Sequence, residues 1–227
     1  MIHRLSLPRL ALALLALALP AWGAERHPVS GRTIAPVMGA AGADWLVRSE
    51  RELEENPDLA IQLLGLRKGM VVADLGAGVG YYSLKMADKV GTEGKIYATD
   101  LQPEMLRLLR KRIELAKVNN VIPVLGGETE TNLPAGKMDM VLLVDVYHEF
   151  SEPQKMLASI ARALKPKGQL VLLEFRKEDP KVPIREEHKM SVAMVKQELE
   201  AEGFRMVKVL GDLPWQHVFF FEKAQAE

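Results

Sequence analysis

From Met70 onward, short apolar runs alternate with longer amphipathic segments along the chain. Apolar runs of about six residues predict buried strands, and segments of about 10–15 residues with one apolar face predict helices between them. Strands that alternate with helices are typical of a parallel sheet covered by helices, so the predicted fold class is α/β. The predicted strands are Met70–Leu75, Lys95–Asp100, Val121–Leu125, Met138–Val144, Gln169–Phe175, Met206–Leu210 and His217–Glu222.

Helices are predicted in the intervening segments, near residues 80–90, 103–118, 153–164 and 192–202. Pro153 in a first turn and Gly168 after the third of these helices are the usual punctuation of a helix. The connection between the last two predicted strands is short enough for an antiparallel hairpin, unlike the earlier crossovers.

The N-terminal residues have the pattern of a secretory signal peptide over residues 1–23. A basic start precedes the apolar run 10–19, and small residues at Ala21 and Gly23 favour cleavage after Gly23. Ten helical residues extend about 15 Å, against a hydrocarbon core of about 30 Å, so no stable membrane span is expected. We therefore expect export to the periplasm; a cytoplasmic protein is the alternative if the start is misassigned.

The remaining chain divides into three predicted parts. Residues 24–43 are rich in Gly, Ala and Pro, and predict a flexible lead-in. Residues 44–69 predict an N-terminal helical cap, with a capping box formed by Ser49 and Glu52 and a second helix that begins at Asn56-Pro57. Residues 70–223 form the predicted main domain.

Composition and charge exclude several classes of function. Lys plus Arg and Asp plus Glu number 30 each, so the net charge indicates no polyanionic partner, and nucleic acid is not expected. The chain has no cysteine, which excludes disulfides, thiolate metal sites and cysteine nucleophiles. The histidines His148, His188 and His217 lack the H-x₃₋₅-H spacing of zinc sites, so no metal site is predicted.

A glycine-rich turn follows the first predicted strand. Its pattern is G-x-G-x-G, whereas the dinucleotide fingerprint is G-x-G-x-x-G, and Tyr81 stands where the third glycine would be. Asp74 before the turn would repel a pyrophosphate but attract a cation. Asp100 closes the second predicted strand, where a carboxylate can accept hydrogen bonds from ribose hydroxyls. The alternatives are a simple turn acid for Asp74 and a helix cap for Asp100.

These segments resemble the motifs of class I S-adenosylmethionine (SAM)-dependent methyltransferases. DLGAGVG at 74–80 resembles motif I, YATD at 97–100 the second-strand motif, and PEML at 103–106 and LKPKGQL at 164–170 two later segments, in the same order. The resemblance implies a Rossmann-like, doubly wound seven-stranded sheet of order 3-2-1-4-5-7-6, with the last strand antiparallel and helices on both faces. It also implies SAM as the cofactor, held by Asp74, Gly76, Gly78, Gly80, Asp100, Leu101, Glu128 and Asp145.

The densest group of reactive side chains follows the fourth predicted strand. Ligands of open parallel sheets bind beyond the carboxyl ends of the strands. There His148 is a candidate base for an acceptor hydroxyl, because imidazole titrates near neutral pH; the alternative is a structural histidine bonded to a loop. Tyr147 is a candidate wall beside the methyl group, and Asp145 would bind the methionyl ammonium or orient the acceptor. If they converge in the fold, the candidate acceptor pocket comprises Trp45, Glu149, Arg176, His188, Trp215 and His217. The alternatives are packing for Trp45 and Trp215, a surface ion pair for Arg176 and an N-terminal helix cap for His188.

The predicted activity is methyl transfer from SAM to a small molecule, because the C-terminal part forms a compact cap rather than a second recognition domain. Two alternatives are a SAM-binding protein without catalysis and an enzyme that methylates a protein side chain. A third, an NAD-type oxidoreductase, is disfavoured by Tyr81 in the glycine turn.

Overall fold

The computed structural model describes residues 25–224, so the predicted signal peptide lies outside the described residues. Eight strands of these residues form one sheet. They are β1 (Val71–Leu75), β2 (Lys95–Asp100), β3 (Val121–Leu125), β4 (Met138–Val144), β5 (Leu164–Arg176), β6 (Lys189–Met190), β7 (Phe204–Leu210) and β8 (Gln216–Lys223). The helices are α1 (Arg51–Glu54), α2 (Pro57–Leu63), α3 (Tyr81–Val90), α4 (Pro103–Ala116), α5 (Pro153–Ala163) and α6 (Val192–Ala201), with 3₁₀ helices at Ala40–Val47, Tyr147–Glu149 and Glu186–His188.

The order of the strands across the sheet is β3-β2-β1-β4-β5-β8-β7, with β6 paired to β5 off this path. β1 lies parallel to both β2 and β4, and β8 runs antiparallel to β5 and β7. The predicted fold class and strand order are therefore confirmed. The sequence did not predict β6, because a two-residue strand is too short for a periodic pattern.

Two apolar clusters cover the two faces of the sheet. Successive strand residues point to opposite faces. Val72 and Leu142 accordingly lie in one cluster, while their neighbours Ala73 and Leu143 lie in the other. Every helix of residues 25–224 falls short of the length and hydrophobicity that crossing a membrane requires.

The first described residues do not match the predicted flexible lead-in, because they are anchored to the main domain. Arg26 and Thr33 pair in an isolated antiparallel bridge, and the His27 and Ala35 residues are only 1% and 2% exposed. The Arg32 side chain pairs with the buried Glu198 of α6 at 2.9 Å. The prediction of flexibility from Gly, Ala and Pro content was therefore wrong, because an ion pair distant in sequence holds this segment in place.

The predicted helical cap is correct in one part and wrong in another. Asn56 Oδ1 accepts a hydrogen bond from the Leu59 backbone N–H, as expected for the residue that begins α2. The capping box is wrong: α1 begins after Glu50 without a side-chain cap, and Ser49 Oγ donates to the Glu50 carboxylate instead.

Replacing Gly80 with alanine is expected to lower the free energy of unfolding by about 2–3 kcal/mol. Gly80 has a φ of 80°, which costs an L-residue about 1–2 kcal/mol, and an added Cβ would overlap Leu109 Cδ1 of α4. Urea unfolding measures the loss. Gly136→Ala is the matched control, since Gly136 has a φ of 64° but no atom near its added Cβ. Equal losses in the two variants would contradict the expected clash with Leu109.

Candidate functional site

The glycine turn folds back over the end of the neighbouring strand β2. The backbone N–H groups of Gly76 and Ala77 both donate to the Thr99 carbonyl, at 2.8 and 2.9 Å. The Gly78 N–H donates to Asp100 Oδ2 at 2.9 Å. The turn and the carboxylate of Asp100 therefore form one unit at the carboxyl edge of the sheet.

Asp100 is held by backbone N–H groups and is only 7% exposed. Its Oδ1 accepts from the Gln102 N–H at 2.8 Å. Burial raises the pKa of Asp100, while the N–H groups of Gln102, Gly78 and Leu101 oppose that rise. Beside it Leu101 is 43% exposed, and Glu128 is exposed in the loop after β3. These placements fit the predicted nucleoside-binding edge.

Asp74 lies beneath the turn at the end of β1 and is 3% exposed. Ser83 Oγ of α3 donates to its Oδ2 at 2.5 Å. Burial raises the pKa of Asp74 to about 6, against the opposing hydrogen bonds from Ser83. Burial therefore disfavours the ionised form of Asp74, and a cation nearby would favour that form.

Asp145 follows β4 in a left-handed conformation, with a φ of 54°. Its Oδ2 accepts from Gln216 Nε2 at 2.7 Å. Within residues 25–224, Asp145 Oδ1 and Gln216 Oε1 are buried acceptors without a hydrogen-bond donor. Burial, followed by the charges of Glu55 and Glu174, raises the pKa of Asp145 well above its ordinary value. Unpartnered acceptors beside ionisable acids fit a ligand that carries an ammonium group.

A second group of side chains surrounds His148, which is buried. Its Nδ1 lies 2.6 Å from Glu174 Oε2, and its Nε2 lies 3.0 Å from His188 Nδ1. The other oxygen of Glu174 accepts from the Tyr147 N–H at 2.9 Å. Because Glu174 is fully buried at the end of β5, it fixes the orientation of the His148 ring.

Glu149 directly follows His148 in the 3₁₀ helix after β4, and its carboxyl group has a raised pKa. Burial raises its pKa to about 7, with the His148 charge opposing and the Glu174 and Asp100 charges adding to the rise. Because β1 and β4 are neighbouring parallel strands, Asp74, Asp145 and His148 lie near the same carboxyl edge of the sheet.

Several predicted site residues make contacts of their own elsewhere. The Tyr147 hydroxyl lies 3.1 Å from His27 Nε2, facing the N-terminal segment, and its role beside a methyl group stays a prediction. Arg176 donates to the carbonyls of the 211–216 loop, and His217 Nε2 lies 3.2 Å from Glu178. Trp45 is 43% exposed beneath the Arg48 guanidinium, and Trp215 is half-buried.

Sequence reasoning did not predict the pairing of Glu174 with His148, nor that of Gln216 with Asp145. A signal was present, because a carboxylate and an amide are unusual in runs as apolar as β5 and β8. Buried polar groups require partners, and only the folded sheet shows which partners they have.

Comparisons with known proteins point to one family. A family model described as a methyltransferase domain matches residues 66–217. Ubiquinone/menaquinone biosynthesis C-methyltransferase UbiE of Psychromonas ingrahamii is 34% identical over 112 residues, covering 49% of this chain and 45% of that protein. The Pasteurella multocida protein of the same name is 34% identical over 118 residues, covering 52% and 44%. The chain thus spans about half the length of these relatives.

A solved structure resembles more of the chain. The crystal structure of a SAM dependent methyltransferase from Aquifex aeolicus aligns with a TM-score of 0.77 and 27% identity, covering 82% of this chain and 98% of that one. The similarity includes the sheet whose carboxyl edge carries the candidate site.

Proposed function

The chain belongs to the methyltransferase domain family, as a class I SAM-dependent methyltransferase, and from that premise we propose that it methylates a small molecule bound beside His148. SAM supplies an electrophilic methyl group on a sulfonium sulfur. Gly76 and Gly78 would contact the methionyl part of SAM, and Asp100 would bind its ribose. Asp145 would bind the ammonium group. The unpartnered Asp145 Oδ1 supports this placement, since a cationic ligand brings the donors that this oxygen lacks.

The observation that carries the proposal is the orientation of His148 by Glu174. A carboxylate on Nδ1 favours the tautomer with the proton on Nδ1 and leaves Nε2, which faces His188 Nδ1, as the basic nitrogen. An imidazole held in this way is suited to act on the reacting atom of an acceptor. Its position after β4, beyond the carboxyl ends of the strands, is where an open α/β sheet binds its ligand.

The relatives and the N-terminal pattern refine the proposal. The names of the relatives describe transfer to carbon in quinone biosynthesis, which supports testing aromatic hydroxyl compounds among the acceptors. The pattern of residues 1–23 supports an exported enzyme.

Methyl transfer is tested directly with purified protein, SAM labelled in its methyl group, and a panel of small molecules that includes phenols, catechols and amines. We expect label in one acceptor class together with one S-adenosylhomocysteine per methyl group. A protein that binds SAM yet labels none of the panel, and labels a bulk protein substrate instead, would overturn the small-molecule assignment.

Replacing Asp100 with alanine is expected to weaken SAM binding by about 1–3 kcal/mol, or roughly 5- to 150-fold in Kd, the usual loss for a charge-assisted hydrogen bond. The change also removes the acceptor of the Gly78 N–H, so the turn loses part of its support. Calorimetric titration with SAM measures the loss. Asp88→Ala, an exposed position on α3, is the matched control and should bind SAM as the unmodified protein does. Unchanged affinity in Asp100→Ala would contradict the ribose-binding role.

A further inference from the structure

His148, Glu149 and His188 bring three potential metal ligands together. Their ligand atoms all lie within 4.8 Å of one another. The two imidazoles come from separate parts of the chain, the 3₁₀ helix after β4 and the 3₁₀ helix before β6, and their rings meet edge to face. The spacing of these residues along the sequence does not predict a metal site, because they come together only in the folded chain, near the end of β5.

The distance between the two imidazole nitrogens suits a metal ion. His148 Nε2 and His188 Nδ1 lie 3.0 Å apart. Zinc–nitrogen bonds of about 2.0–2.1 Å in a tetrahedral arrangement place two ligand nitrogens roughly 3.3 Å apart. An ion between the two rings therefore requires only a small outward movement, with the flexible Glu149 side chain closing the third position.

Glu174 provides the outer support that metal-binding histidines commonly have. A histidine ligand usually donates its other ring N–H to a carboxylate or carbonyl, which fixes the tautomer and raises the basicity of the ligating nitrogen. His148 Nδ1 lies 2.6 Å from Glu174 Oε2, so Nε2 is the nitrogen left to bind an ion. Glu174 is fully buried and tied to the Tyr147 N–H, so it cannot readily turn away.

The carboxylates around this group lack cationic Lys or Arg partners within residues 25–224. Among the residues that the structure describes, Glu149 and Asp145 have no Lys or Arg nitrogen within 4.0 Å, and Glu174 pairs only with His148. Three sheltered carboxyl groups beside two imidazoles and without a paired Lys or Arg leave a local excess of potential negative charge. A divalent cation would offset that excess.

The geometry points to a site for a divalent first-row transition-metal ion of the zinc type, bound by His148, Glu149 and His188 with a fourth position open. Two imidazoles and one carboxylate with an open position form a catalytic rather than a structural arrangement. The site takes the oxygen of an acceptor at that position, and His148 acts on the acceptor through the ion.

The use of the ion in methyl transfer rests on the proposed function, whereas its binding does not. At the open position an acceptor hydroxyl loses its proton to water more readily, because the cation lowers its pKa. The resulting oxygen forms a bond to the methyl carbon while the carbon–sulfur bond of SAM breaks and its electron pair returns to sulfur. The products are the methylated acceptor and S-adenosylhomocysteine.

Cobalt titration of the chelator-treated full-length protein tests binding without any assay of activity. We expect one equivalent of Co²⁺ to give visible d–d bands typical of low coordination, and Zn²⁺ to displace it. His188→Gln and His148→Gln should each weaken Co²⁺ binding at least tenfold, and Glu174→Gln by about 10- to 100-fold, the usual effect of losing an outer carboxylate. His217→Gln is the matched control, because its imidazole pairs with Glu178 outside the group.

The outcomes separate the two proposals. Absence of the bands, or equal binding by the His188→Gln and His217→Gln variants, would overturn the metal site. Bound Co²⁺ with no methyl transfer to any acceptor supports the metal site and counts against the proposed function. Full transfer by protein kept in excess chelator would overturn the part given to the ion and leave the proposed function standing.

Discussion

Replacing Glu198 with alanine is expected to lower the free energy of unfolding by about 3–5 kcal/mol. Glu198 is fully buried and pairs with Arg32 at 2.9 Å and with His27 at 3.2 Å. Without it, the Arg32 guanidinium stays buried without a counter-charge, which is the costly way to break a buried pair. For a domain of this size, the loss corresponds to a fall in Tm of roughly 6–20 °C, measured by calorimetry.

Glu200→Ala provides the comparison, because Glu200 lies on the same helix but is exposed. Its replacement should change stability by no more than about 0.5 kcal/mol. The Arg32 side chain also donates to the His148 carbonyl at 2.9 Å. The loss of Glu198 should therefore also make the position of His148 less fixed. Similar melting of the two variants would show that the N-terminal segment contributes little to the folded state.

Replacing Asp74 with asparagine is expected to change how stability depends on pH. The pKa of Asp74 is about 6 in the folded protein, against an ordinary value of 3.8. Between about pH 4 and pH 6 the folded protein holds a proton that the unfolded chain has released, so stability falls as pH rises. The free energy of unfolding should fall by about 3 kcal/mol in total once the pH is above 6. Asparagine cannot ionise, so the Asp74→Asn variant should not show this fall.

Urea unfolding from pH 4 to pH 8 measures this difference. The Asp74→Asn variant should show the flatter profile and be more stable than the unmodified protein at pH 8, while Asp88→Asn, an exposed change, should follow the unmodified slope. The same variant should bind SAM less tightly, since it lacks the charge that a cationic ligand favours. A variant profile that falls as steeply as the original would show that Asp74 is not the titrating group.

Strand positions were predictable, and cofactor residues could be proposed, because both kinds of signal are local. The run at 71–75, the glycine turn and Asp100 are each contained in a few consecutive residues, and the order of parallel strands follows from alternation with helices. The end of each strand therefore indicated which polar side chains share the carboxyl edge.

The side-chain pairings around His148 were not predictable in the same way, although His148, Glu149 and His188 were each candidates. His148 and His188 are 40 positions apart, and His27 and Glu198 are joined across most of the chain. Buried polar groups choose partners by three-dimensional proximity, which no period along the sequence encodes. The prediction of a capping box at Ser49 was wrong for a related reason, because it rested on a pattern of only four residues. In the structure, Arg51 and Glu55 form an ion pair along α1, and the helix begins without a side-chain cap.

Leu46 lies directly against Gly78, where an added Cβ would overlap its Cδ1, so a piece of the chain rests on the cradle of the cofactor. The 3₁₀ helix that carries Leu46 is held by a small apolar cluster whose buried members are Ala43, Val79 and Met105. Segments with so little buried contact detach at a small fraction of the cost of global unfolding. A nucleoside held at the glycine turn would then exchange by displacement of the segment that carries Leu46, without loosening of the sheet beneath it.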